Sequence, residues 1–92
     1  MDEKTKKELK EALEIMEEII DDRTVPRNIR KAVTDALEKV DKRNITAVDC
    51  SMAIYILDDI SNDINIPSYT RTSIWTAISR LEAVKERIKE IE

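Results

Sequence analysis

Three groups of polar side chains in this sequence have types and spacing that could do chemistry. Arg23, Arg27, Arg30 and Lys31 gather around Pro26, at and near a helix start. Backbone N–H groups there already favour an anion, so this cluster is a candidate phosphate or nucleic-acid contact. Its alternative role is internal, answering Asp21, Asp22, Asp58 and Asp59 within the fold. The pairs Glu17-Glu18 and Asp58-Asp59, with Asp21, Asp22 and Asp63, have the oxygen donors for a hard cation. The alternative is that they are solvated helix-surface carboxylates. Cys50 lies in the first turns of a helix, where a thiol pKa is lowered. Without a histidine partner, a buried structural cysteine is the favoured reading.

The 92 residues contain no glycine and no histidine, one cysteine and two prolines, and the net charge is −4. Without glycine there is no phosphate loop of the Walker type and no dinucleotide fingerprint, since both need backbone to approach phosphate closely. Without histidine there is no Ser-His-Asp or Cys-His site, no imidazole metal ligand and no Glu-x-x-His di-iron motif. One cysteine makes no internal disulfide, so a reducing cytoplasm is the expected location. No apolar run reaches the roughly 20 residues of a membrane span, and residues 1–20 lack a signal-peptide core. The negative balance and the 3% aromatic content disfavour nucleic acid. These residues point to no metal site, cofactor, small-molecule substrate or enzymatic activity.

The elements that must position these groups are helical. A first helix is predicted over about Glu3–Asp21, with Leu9, Leu13, Met16 and Ile20 at spacing 4-3-4 and Ala12, Ile15 and Ile19 widening the face. Thr5 and Glu8 have capping-box spacing and mark an alternative start. Pro26 opens a second helix with the stripe Ile29, Val33, Ala36, Leu37 and Val40, ending near 42–44. Thr46 caps a third, with Asp49 three residues on, running to about Asn62. Pro67 opens a fourth, whose seam is Ile74, Ala77, Leu81, Val84, Ile88 and Ile91. Its Glu82–Lys85 and Glu86–Lys89 pairs mark a solvated face.

A shift of 41 residues aligns the halves without a gap. Ala12 falls on Ala53, Met16 on Leu57, Asp22 on Asp63, Val25-Pro26 on Ile66-Pro67, Arg30 on Arg71, Val33 on Ile74 and Ala36 on Ala77. The unit is a helix, an acidic loop, a proline and a second helix. Its texture is HEAT-like, but a solenoid usually needs three or more copies. The expected fold is therefore a single all-α domain over residues 1–92, a four-helix up-and-down bundle of two repeated helical hairpins. An open HEAT-like pair is the alternative. Arg30 and Arg71, shared by the copies, are expected to hold acidic residues of the preceding helix and loop.

The alignment also exposes one contrast. Lys7, Glu11 and Glu14 of the first copy correspond to Val48, Met52 and Tyr55 of the second. These three form one stripe at i, i+4 and i+7, opposite the Ala53, Leu57 and Ile60 arc. The stripe is either a surface that docks another protein or the mark of a helix central to an asymmetric bundle. Trp75 fits either arrangement.

The segments VPRNIRKAV (25–33), IYILDDISND (54–63) and TRTSIW (70–75) resemble a family of small archaeal proteins, uncharacterised protein family 0147. The resemblance covers essentially the whole chain. It departs at Ile64, where the family commonly has proline, which touches only loop stiffness. It implies a cytoplasmic archaeal protein with a four-helix bundle fold, and it supplies no catalytic residue.

The expected role is a non-catalytic protein–protein interaction or assembly module, with a homo-oligomer as one form of it, using Val48, Met52, Tyr55 and Trp75. The alternative is a nucleic-acid-associated accessory protein using Arg23, Arg27, Arg30 and Lys31.

Overall fold

A computed structural model describes residues 1–91. The chain forms four helices, α1 (Glu3–Asp21), α2 (Arg27–Val40), α3 (Ala47–Ser61) and α4 (Ser68–Ile91), and no strand among the described residues.

Each helix start follows from local chemistry. Asp2 caps α1, its Oδ1 accepting from the Thr5 N–H at 2.8 Å, so the cap lies before the alternative start at Thr5. The Pro26 carbonyl accepts from the N–H groups of Ile29 and Arg30, and that of Pro67 accepts from Thr70 and Arg71, which starts α2 and α4. At α3 both halves of the capping box form: Asp49 N–H donates to Thr46 Oγ1 (3.2 Å) and Thr46 N–H to Asp49 Oδ2 (2.9 Å). The one positive φ among the described residues is 52° at Asn44, a residue type that tolerates the left-handed region.

The helices close into a ring. α1 packs on α2, α2 on α3, α3 on α4, and α4 back on α1, while the diagonal pairs do not meet among the described residues. An open HEAT-like pair would stack α1 on α3 and α2 on α4 and leave α1 and α4 apart, so the fold is the closed bundle. Its extents of 39 × 20 × 19 Å match one long helix length by two helix diameters. The up-and-down sense is fixed at both ends of α1 and α4. Glu8, near the start of α1, pairs with Arg87 near the end of α4, and Asp22, after α1, bonds Tyr69 at the start of α4.

The core is continuous through all four helices: Ala12, Met16 and Ile19; Ile29, Val33, Ala36 and Val40; Cys50, Ala53, Leu57 and Ile60; Ile74, Ala77, Leu81, Val84 and Ile88. Val25 and Ile66 plug the two loops that precede α2 and α4. Three expectations shift. α2 ends at Val40, short of the expected 42–44, with Asp41 as its C-cap. On α1 the buried line runs through Thr5, Ala12, Met16 and Ile19, with Leu9, Leu13, Ile15 and Ile20 packed at its edges. On α4 the buried seam ends at Ile88, and Ile91 is exposed.

The loops at positions 41 apart are built alike. Asp22 Oδ1 accepts from Thr24 N–H (2.9 Å), and Asp63 Oδ1 accepts from Asn65 N–H (2.8 Å). The two arginines behind them correct the expectation drawn from sequence. Arg30 Nε donates to the Val25 carbonyl (3.1 Å), and Arg71 donates to the carbonyls of Ser61 (2.9 Å) and Asp63 (2.7 Å). Arg30 holds loop backbone, and Arg71 holds the last carbonyl of α3 and one of the loop, rather than a carboxylate, which gives these carbonyls side-chain donors.

Candidate functional site

α3 sits in the ring with core on one face and water on the other. Cys50, Ala53, Leu57 and Ile60 fill the core. On the opposite face Val48 is 66% exposed, Met52 43% and Tyr55 76%. The stripe is thus surface and not the inner contact of a central helix. Its side chains line a shallow groove that includes Ser51 and Ile56 of α3 and Lys39 of α2.

The matching place on the other half of the bundle is built differently. There Glu11 of α1 meets Arg80 of α4, with Arg80 Nε 3.9 Å from Glu11 Oε1, an ion pair without a hydrogen bond. One turn away, the half-buried Glu8–Arg87 pair adds a hydrogen bond between the same two helices. Glu11 and Arg80 correspond to Met52 and Lys39 at the 41-residue offset. Where one half closes with opposite charges, the other presents a methionine beside a lysine.

Trp75 is 55% exposed on α4. It lies one turn beyond Arg71, which reaches the end of α3, so it stands on the α3 side of α4. It does not line the groove. Val48, Met52 and Tyr55 are brought together as the sequence predicts, whereas Trp75 is separate from them. Lys39, Ser51 and Ile56 were not singled out by sequence reasoning. For Lys39 a signal existed in its alignment with Arg80.

The family model of the uncharacterised protein family UPF0147 matches residues 1–84. The chain belongs to this family. A UPF0147 protein of Methanocaldococcus jannaschii is 51% identical over 85 residues, covering 90% of this chain and 91% of that protein. One from Sulfurisphaera tokodaii is 44% identical over 79 residues, covering 85% and 89%. The crystal structure of a UPF0147 protein from Thermoplasma acidophilum superposes with a TM-score of 0.80 at 34% identity, covering 86% of this chain and 94% of that one. A protein of unknown function, MMP1188, superposes at 0.74 with 45% identity, covering 82% and 86%. The three UPF0147 relatives are archaeal and belong to an uncharacterised family, and the function of this UPF0147 chain is likewise unknown.

The basic cluster of this UPF0147 chain divides in two. Arg30 is half-buried on the Val25 carbonyl, and Lys31 pairs with Asp35 at 3.0 Å, which raises the Lys31 pKa through that hydrogen bond and charge. Arg23 and Arg27 are exposed and make no ion pair or hydrogen bond among the described residues. None of the four forms a salt bridge with Asp21, Asp22, Asp58 or Asp59 among the described residues, although the Arg30 charge helps to lower the Asp22 pKa. The carboxylates build no group of three or more His, Cys, Asp or Glu able to hold a metal ion among the described residues. Cys50 is buried in the core. Among the described residues no helix is long and apolar enough to cross a membrane.

Proposed function

We propose that this chain is a non-catalytic interaction or assembly module of the cytoplasm, working through the outer face of α3. One observation carries the reading. Val48, Met52 and Tyr55 are exposed on a helix whose other face already fills the core. Such a stripe adds nothing to the folding of one chain and lowers its solubility. Burial against another protein gains about 25 cal/mol per Å² of apolar surface removed from water. The charged Lys7, Glu11 and Glu14 at the corresponding place on α1 support the same reading, because the bundle itself does not need an apolar face there. The single buried cysteine is consistent with a reducing compartment.

The test compares the tagged wild type with Met52→Glu by size-exclusion of native lysate, with and without nuclease treatment. The wild type is expected to elute in an assembly and Met52→Glu as the monomer. Identical elution of the two would overturn the reading. An assembly that vanishes on nuclease treatment would replace it with a nucleic-acid role for the exposed Arg23 and Arg27.

A further inference from the structure

We propose that the α3 groove takes an amphipathic helix of a different protein, one that sets a carboxylate against Lys39 while its apolar residues cover Val48, Met52 and Tyr55. This rests on the reading of α3 as an interaction face and names the chemistry of its partner.

The internal repeat shows what the groove lacks. On the first half of the bundle Arg80 faces Glu11, with Nε 3.9 Å from the carboxylate. On the second half the corresponding positions hold Lys39 and Met52, so the cation is kept and its carboxylate is replaced by a thioether. Lys39 is half-buried, and its ammonium makes no ion pair or hydrogen bond among the described residues. Of the described residues that line the groove it is the one that carries a charge.

The carboxylates around Lys39 are committed elsewhere or turned away. Asp35, one turn before it, pairs with Lys31 at 3.0 Å, and Asp49 pairs with Lys42 at 3.2 Å. Glu38 lies about 100° round α2 from Lys39 and does not line the groove. Asp41 and Arg43 are both exposed in the α2–α3 loop and offset each other. Lys39 therefore remains an unanswered positive charge beside an apolar surface. An arriving apolar surface strips water from that ammonium, and the cost opposes binding unless the arrival brings its own negative charge. A carboxylate beside the apolar anchors meets that need and fixes the orientation of the partner.

The form of the partner follows from the groove. Val48 to Tyr55 is seven residues, about 10 Å of helix, and no strand among the described residues offers an edge to extend. A helix with anchors at i, i+3 or i+4 and i+7 matches that length. Asp59 continues the stripe one turn past Tyr55 and makes no ion pair among the described residues, so it repels the acidic residue toward the Lys39 end. A second copy of α3 does not supply what is missing. Laid antiparallel about Met52 it sets one Lys39 beside the other, and laid parallel it sets one Asp59 beside the other. The one carboxylate between Val48 and Tyr55 is Asp49, already paired.

The test is carbodiimide cross-linking of the full tagged chain in native lysate, read by mass spectrometry of the linked peptides. This reagent joins an amine to a carboxylate in contact and adds no spacer. Lys39 is expected to be linked to an Asp or Glu of another protein, with apolar residues three and four positions away, and Met52→Glu is expected to lose the link. Lys39→Glu and the milder Lys39→Gln, each checked for folding by circular dichroism, are expected to weaken the assembly, Lys39→Glu by about tenfold or more. Lys39→Arg is expected to keep the assembly and lose the link, because it retains the charge without the reactive amine. Lys39 linked only to peptides of this chain overturns the proposal. An assembly that depends on Met52 but is indifferent to Lys39→Glu also overturns it and leaves the interaction reading standing. An assembly indifferent to both Met52→Glu and Lys39→Glu overturns both.

Discussion

Tyr69 donates its phenolic hydrogen to Asp22 Oδ2 across 2.7 Å, tying the start of α4 to the end of α1. Thr24 completes the cluster, its Oγ1 2.6 Å from Asp22 Oδ1 and 2.7 Å from the Tyr69 hydroxyl. Asp22 and Tyr69 are 47 residues apart in sequence. The bundle brings them together by returning α4 antiparallel along α1.

Hydrogen bonds from Thr24 and Tyr69 hold the Asp22 carboxyl below its ordinary value of 3.8. Bonds from Thr46 do the same for Asp49, chiefly through its backbone N–H, and bonds from Thr5 for Asp2. A carboxylate depressed in the folded state stabilises the fold above its unfolded pKa, and that contribution is lost as pH falls through the folded pKa. Tm is expected to be flat from neutral pH down to about pH 4 and to fall below it, with Tyr69→Phe giving a shallower fall. Thermal melts across that range check this, and identical acid slopes for the two proteins would show that the tie contributes nothing.

Arg71 donates to two backbone carbonyls, those of Ser61 and Asp63, and Arg30 to one, that of Val25. Removing a charged donor strands its acceptors at about 1.5–3 kcal/mol per bond. Arg71→Met is therefore expected to destabilise more than Arg30→Met, by about 1–3 kcal/mol in urea unfolding. Equal losses would mean that the second bond of Arg71 is energetically silent.

Thr70 is buried, and its hydroxyl makes no hydrogen bond. Ile29 fills the corresponding place on α2. Thr70→Val keeps the shape and removes the buried oxygen, so a gain of about 1 kcal/mol is expected. A lower Tm would instead show that the hydroxyl has a partner in solution.

Met52 and Met16 offer a direct contrast between stripe and core. Met16 is fully buried at the centre of α1. Met16→Ala is expected to cost about 2–5 kcal/mol. Met52→Glu should stay within about 0.5 kcal/mol of wild type when measured on the monomer. A large loss at Met52 would place the stripe inside the fold and not on its surface.

Much of this was legible in the residues. The helix spans follow from Pro26 and Pro67, the Thr46–Asp49 capping box and apolar periodicity, because these act within one or two turns. The outer stripe was legible as a set, since i, i+4 and i+7 on one helix share a face whatever surrounds it. The centre of the α1 core line was not. Seven apolar residues spread over a broad arc there, and only packing against α2 and α4 selects Ala12, Met16 and Ile19 as its middle. The carbonyl partners of Arg30 and Arg71 were hidden for a similar reason, because loop backbone direction has no side-chain signature.

The sequence by itself determined four helices, their order and where each begins, because capping, proline geometry and the helical period are local, and its segments resembled the family. The tertiary structure alone decided that α4 returns to α1, that Glu8 meets Arg87 and Tyr69 meets Asp22, and that Val48, Met52 and Tyr55 face water. Those outcomes depend on which faces four helices bury together. An apolar face reads the same in sequence whether a neighbour covers it or not.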